Sequence, residues 1–162
     1  MGVRLLSTAA AAVLLATAPA KGRGQDSVLV AEVADLLRSG GWPAERDQEG
    51  TEPVLRTQAD GLPFSIVFYD CEAERCSSFQ FQAFFEAEPY IDERLINAWN
   101  ARKRFLKLSI NAGGDVQADM DVLVSGWTAP DAFEDSFALW REMLRELRDH
   151  MDGARPVPGR ET

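Results

Sequence analysis

The stretch Cys71-Glu72-Ala73-Glu74-Arg75-Cys76-Ser77-Ser78-Phe79-Gln80-Phe81-Gln82-Ala83-Phe84-Phe85 decides the fold. From Ser77 onward polar and apolar residues alternate, the period of a half-buried strand. The segment before the first cysteine alternates too. Phe64, Ile66 and Phe68 share one face, and Ser65, Val67 and Tyr69 share the other. The four residues between the cysteines suit a hairpin loop. Setting Cys71 opposite Cys76 places Phe68 against Phe79 and Ile66 against Phe81. The apolar faces then agree across the pair, which supports that register.

Working toward the N-terminus, Asp60-Gly61 is a strong two-residue hairpin signal. It joins the Phe64 strand to a modest strand over Pro53 to Ala59. Trp42 to Gln48 is a weaker strand, kept at an edge by Pro43. Ahead of it a helix is expected from Asp26 or Ser27, either of which can cap it. Its apolar stripe is Leu29, Val33, Leu36 and Leu37, and Gly40-Gly41 ends it.

Working toward the C-terminus, Glu88-Pro89 breaks the strand. A helix is expected over Ile91 to Arg102, with Ile91, Leu95 and Trp99 on one stripe. Leu106 to Ile110 and Val116 to Val124 then alternate as a second hairpin. A two-residue turn at Gly113-Gly114 would set Leu108 opposite Asp119 and mix the faces. A three-residue loop, Ala112-Gly113-Gly114, sets Leu108 opposite Ala118 and Lys107 opposite Asp119, and is the better choice. Gly126 to Pro130 is a turn. The last helix opens with Asp131 as cap and Glu134 three residues on. Phe133, Phe137, Trp140, Leu144, Leu147 and Met151 recur along it at spacings of three and four. Phe137 and Trp140 should pack over Ile66, Phe68, Phe79 and Phe81. Residues 153–162 read as a flexible tail.

The order is α-β-β-β(β)-α-β-β-α. This is an α+β domain with an antiparallel sheet and helices mainly on one face.

Residues 1–20 have the pattern of a signal peptide. Arg4 is basic, Leu5 to Ala16 is apolar or small, and Ala18-Pro19-Ala20 offers a small-x-small cleavage site. The apolar run is too short to span a bilayer. Residues 21–25 are a linker and residues 26–152 the domain. The expected location is periplasmic or extracellular, with no membrane span after cleavage. Two cysteines in an exported chain are most simply one disulfide, Cys71–Cys76, worth about 2 kcal/mol for so small a loop. The chain of 162 residues carries a net charge of −9. Cleavage removes Arg4 and no acidic residue, so the mature chain is more acidic still. Such a chain repels phosphate backbones, which argues against nucleic acid as partner.

Several residues together resemble the YbjN family, described as sensory transduction regulators of bacteria. They are Asp60-Gly61 before a buried strand, Cys71 and Cys76 ahead of Ser77 and Phe79-Gln80-Phe81, and Asn97-x-Trp99-Asn100 with Arg104-Phe105. The strand from Val116 to Val124 and the Trp140 helix also fit. The resemblance covers about residues 26–150. It implies a fold like that of type III secretion chaperones, an α-β-β-β-α-β-β-α sandwich, and it carries no catalytic residue.

The residues themselves offer little chemistry. His150 is the only histidine. It stands near a helix end, where the dipole favours a cation, and its expected role is structural or superficial. No glycine-rich phosphate loop joins a strand to a helix. Asp115, Asp119 and Asp121 fall on one strand face, without the spacing of a calcium loop. A solvated acidic face, with Lys107 pairing Asp119, accounts for them, and a cation site is the competing reading. Asn97, Trp99, Asn100 and Arg104 form a compact polar-aromatic cluster. It is either a recognition surface or a structural device in which asparagine binds backbone. Tyr69, Phe84, Phe105 and Leu123 fall on the sheet face away from the aromatic core. They form a partner or dimer surface if the helices cover one face only, and are internal if the middle helix or the tail covers them.

No cofactor, metal or catalytic residue is expected. The expected function is non-enzymatic binding of a protein or peptide, with a homodimer as a further form. The alternatives are a structural envelope protein whose sheet face only mediates dimerisation, and a carboxylate-dependent hydrolase.

Overall fold

Two long strands, β4 (Leu62–Glu72) and β5 (Arg75–Phe85), form the centre of the fold. The computed structural model describes residues 27–47, 50–86, 88–124 and 129–156. The expected signal peptide and linker lie outside them. In β4 and β5, Cys71 is opposite Cys76, Phe68 opposite Phe79 and Ile66 opposite Phe81, the register that the alternating pattern requires. A disulfide joins Cys71 to Cys76, whose Cα atoms are 4.0 Å apart. The strands continue past the cysteines to pair Glu72 with Arg75. The loop is therefore tighter than four residues. Ala73 and Glu74 both take left-handed backbone, with φ of 47° and 69°. Such turns twist in the same sense as the strands they join.

The other hairpins follow the same logic. β3 (Val54–Ala59) meets β4 with Ala59 opposite Leu62, across Asp60 and Gly61 with φ of 53° and 78°. β6 (Lys107–Ile110) meets β7 (Val116–Leu123) with Lys107 opposite Asp119 and Leu108 opposite Ala118. The Asn111 N–H donates to the Asp115 carbonyl at 2.9 Å, which closes a three-residue loop with Gly114 at φ 92°. β2 (Glu45–Arg46) is a short edge strand, and Gln48 lies outside the described residues. The antiparallel sheet runs β2-β3-β4-β5-β7-β6. A seventh strand was not legible in the pattern. β1 (Val28–Leu29) pairs with β5, Val28 opposite Cys76.

That pairing changes the first helix. α1 spans Val30–Ser39, not a segment opening at Asp26 or Ser27. Ser27 precedes the short strand, and Asp26 lies outside the described residues. Glu32 accepts from the Leu29 N–H at 3.1 Å, taking over the capping role. The buried stripe is Val30, Val33, Ala34 and Leu37, so Leu29 and Leu36 are not central to it. At the far end the Gly41 N–H bonds to Arg38 and the Trp42 N–H to Leu37, both at 3.0 Å, with Gly41 at φ 86°. Those two bonds satisfy carbonyls that the helix end leaves open.

α2 spans Glu93–Arg102, two residues later than expected, because Asp92 caps it through the Arg94 and Leu95 N–H groups. It buries Ile96 and Trp99 instead of an Ile91–Leu95–Trp99 stripe. α3 spans Ala129–Ala154. Pro130 is tolerated in its first turn, where no carbonyl precedes to clash with the ring. Asp131 therefore lies inside the first turn instead of capping it. Residues 126–128 of the expected turn lie outside the described residues. The helix also runs through Gly153, so the expected tail is shorter. Arg155 stacks on Tyr90 at 5.9 Å, and residues 157–162 lie outside the described residues.

α1 and α3 bury one sheet face. Phe133, Phe137, Trp140, Leu144 and Leu147 are all buried on α3. Trp140 stacks on Phe81 at 5.4 Å and meets Phe64 edge-on at 5.7 Å. Phe137 reaches Phe81 at 6.2 Å and Trp42 at 4.8 Å. Contact with Phe79 falls to Phe133, at 6.1 Å, one turn earlier than expected. The Trp140 Nε1 is buried without a hydrogen-bond partner. The ring is therefore held by its packing alone. Trp140→Ala should lower unfolding stability by about 3–5 kcal/mol, as a large-to-small core change does. Denaturant unfolding measures it, and an unchanged midpoint would contradict the docking of α3.

Candidate functional site

The polar-aromatic cluster of α2 resolves into two kinds of residue. Asn100 binds the backbone of β6 twice. Its Nδ2 donates to the Leu108 carbonyl, and its Oδ1 accepts from the Leu108 N–H, both at 2.9 Å. Trp99 is 2 % exposed and donates from Nε1 to the Leu106 carbonyl at 2.9 Å. Both side chains hold α2 against the sheet margin, where buried polar groups must find partners. Asn97 and Arg104 are exposed. Arg104 places its guanidinium 5.2 Å from the Phe105 ring centre. The four residues do not form one surface.

Lys107 departs from expectation. It stands opposite Asp119 in register, yet its Nζ donates to the Asn100 carbonyl at 2.9 Å and to the Lys103 carbonyl. The open carbonyls at the α2 C-terminus attract the cation more effectively than the neighbouring carboxylate. His150 stands near the C-terminal end of α3. Its Nε2 lies 3.2 Å from the Leu95 carbonyl, and its ring is 5.5 Å from that of Trp99. It joins α3 to α2.

The sheet face away from α1 and α3 bears Tyr69, Phe84 and Leu123, whereas Phe105, expected in the strand, stands off the sheet in the bend before β6. Tyr69 is 36 % exposed, Phe84 51 %, Phe105 50 % and Leu123 75 %. Ile110 is exposed as well, but on the other side of β6, beside Ile96 and Asn97 of α2. The register divides the residues of the open face. Tyr69, Ser78 and Leu123 lie in one row across β4, β5 and β7. Phe84 lies in another row with Gln117 and Ser109. Six strand residues separate the rows along β5, about 20 Å at strand rise.

Between the rows runs a polar ladder. Gln80 donates to Asp121 at 2.9 Å, Gln82 to Asp119 at 3.3 Å, and Gln117 to Asp119 at 2.9 Å. The glutamines were readable as outward residues between the phenylalanines, but their partners needed the strand order. Asp115 belongs to the β6–β7 loop, not to the ladder. Among the described residues no three metal-ligating side chains converge. Leu123 and Phe105 border a groove of roughly 220 Å³ between the β7 margin and α3.

Burial pushes the Asp119 carboxyl above the ordinary carboxylate range. The Gln117 and Gln82 donors oppose that shift, and the charge of Asp121 adds to it. The Tyr69 phenol is also raised, by burial first and then by Asp121, Asp119 and Glu52.

The family model YbjN, described as "Putative bacterial sensory transduction regulator", matches residues 29–153. No curated protein and no solved structure matches the chain.

The shift at Asp119 fixes a pH dependence. The folded state holds the Asp119 proton more tightly than the unfolded chain does. This group therefore favours the fold when protonated. That advantage is lost as pH rises from the ordinary carboxylate value through the raised one. Asp119→Asn removes the effect while keeping a hydrogen-bonding amide. Its melting temperature should exceed that of the wild type at neutral pH, and the gap should close as pH falls toward about 4. Melts across that range measure it, and a gap independent of pH would contradict the assignment.

Proposed function

Because the chain belongs to the YbjN family, we propose that it is an exported, non-enzymatic domain that binds a protein or peptide partner through its open sheet face. The observation that carries the reading is the one-sided helix layer. α1 and α3 bury one face of the sheet, Tyr69, Phe84 and Leu123 remain exposed on the other, and Phe105 is exposed beside the β7 margin. Exposed aromatic residues on a rigid sheet are efficient anchors, since they bury large areas with few rotatable bonds. A regulator, as the family is described, acts by contact, and a surface of this kind suits that role. The signal-like pattern in residues 1–20 supports export, and so does a disulfide in the central hairpin.

Hydrolysis has less support. Asp119 and Asp121 are hydrogen-bonded to glutamines that knit the strands together. Among the described residues, no histidine, arginine or lysine bonds to this ladder to orient a reacting group.

Cross-linking in the envelope fraction of cells making the full chain tests the proposal. The wild type should give a discrete adduct. Phe84→Ser or Phe105→Ser should reduce it at least several-fold and leave the melt nearly unchanged, as surface changes within about 0.5 kcal/mol do. An adduct indifferent to both changes would overturn the role of this face. Two sharply lowered melts would show that these rings are internal. Recovery of the chain only from the cytoplasm, with residues 1–20 retained, would overturn export.

A further inference from the structure

β6 is shorter than the strand it accompanies. It pairs with β7 only from Val116 to Asp119, while β7 continues to Leu123. Ahead of β6 the chain leaves the sheet at Leu106, whose carbonyl accepts from Trp99. Among the described residues, no strand lies beside Met120 to Leu123 on the side away from β5. The direction of the backbone groups follows from two hydrogen bonds. The Asp115 carbonyl accepts from Asn111, toward β6, whereas the Val124 N–H donates to Ser77, toward β5. Successive residues alternate in this respect. The N–H and C=O of Asp121 and Leu123 therefore point outward, away from β5.

We infer that this outer edge of β7 accepts an extended peptide of a partner protein, alternately basic and apolar, as an added strand. The inference rests on the partner-binding reading above and gives it a site. The groove of roughly 220 Å³ lies along this edge. It is smaller than the usual cavity for a small molecule, about 300–1,000 Å³, and suits one or two side chains. Val122, Ala132 and Leu139 line its inner side, and Phe105 and Leu123 its outer rim. Its charged lining residues are Asp121 and Asp135.

An added strand would present alternate side chains to the two faces. Apolar ones would meet the α3 side, and basic ones opposite Asp121 would pair with it. Main-chain bonds to Asp121 and Leu123 would supply the remaining attraction, as in other strand-addition complexes. Charge also selects against a second copy in this place. Each copy carries −9, and pairing β7 with itself would bring two Asp121 carboxylates together.

The probe is a capped seven-residue peptide that alternates lysine and valine, with lysine at both ends. It is titrated into the full chain and followed by anisotropy and by residue-resolved amide exchange. Binding should slow exchange at Asp121 and Leu123. Leu123→Pro removes one outward N–H while leaving the β5 side of the strand intact, and should weaken binding at least tenfold. Asp135→Lys, an exposed helix change that leaves the strand untouched, should weaken it several-fold. The same change should improve binding of a matched peptide with glutamate in place of lysine. No binding to the wild type would overturn the inference, as would binding indifferent to both variants. Self-association that protects the same amides without peptide would assign the edge to a second copy instead. Loss of the envelope adduct in Phe84→Ser but not in Leu123→Pro would sink the edge inference and leave the sheet-face reading standing.

Discussion

The register of β4 against β5 is the constraint on which the remaining structure depends. Strand side chains alternate, so a slip of one residue would turn Phe79, Phe81 and Ala83 to the open face. Two features resist that slip. The disulfide fixes Cys71 opposite Cys76, and the tight turn at Ala73 and Glu74 admits one pairing. Arg46 reinforces the turn from β2 by bonding both carboxylate oxygens of Glu74. With the hairpin set, Phe64, Ile66, Phe68, Phe79 and Phe81 form one continuous apolar surface. α3 has the matching stripe, and its aromatic rings interleave with those of the sheet.

Coverage of one face has a consequence for the other. The open face must be satisfied without a helix layer, and the glutamine–aspartate ladder does this for its centre. The apolar residues are left at the two ends of the ladder, about 20 Å apart at strand rise. For the proposed binding, the Leu123 end is the better candidate because three features coincide there. They are an exposed apolar rim, a groove against α3 and, among the described residues, unpaired strand backbone. The Phe84 end has an exposed ring but lies where β6 and β7 are fully paired. The Trp99 and Asn100 side chains, read as either recognition residues or structural ones, hold α2 to Leu106 and Leu108, at the end of β6 where its pairing with β7 stops.

Much of this was legible in the residues. The period-two alternation placed the hairpins, and the requirement for agreeing faces chose both the Cys71–Cys76 register and the three-residue loop before β7. The α3 stripe needed only helical spacing. What escaped the sequence depended on partners distant in the chain. Val28 and Leu29 are too short a strand to show alternation, and their pairing with β5 rotated the α1 stripe and displaced its cap. Lys107 has two possible acceptors, and only the position of the α2 C-terminus decides between them. The alternation put Tyr69, Phe84, Phe105 and Leu123 on one face, but β6 begins only at Lys107, so Phe105 stands off the sheet, beside the groove against α3. Their division into two groups required the strand order, which places β7 between β5 and β6. The open β7 edge was not legible, because only the structure ends β6 at four residues against eight in β7.

The account stands on one-sided coverage of the sheet, and footprinting with hydroxyl radicals reads that property ring by ring. In the free, folded chain, Tyr69, Phe84 and Phe105 should be oxidised readily. Phe64, Phe79 and Phe81, under α3, should react only on unfolding. Protection of Phe84 and Phe105 equal to that of Phe79 and Phe81 would show a second covering layer. It would contradict both the open face and the function built on it.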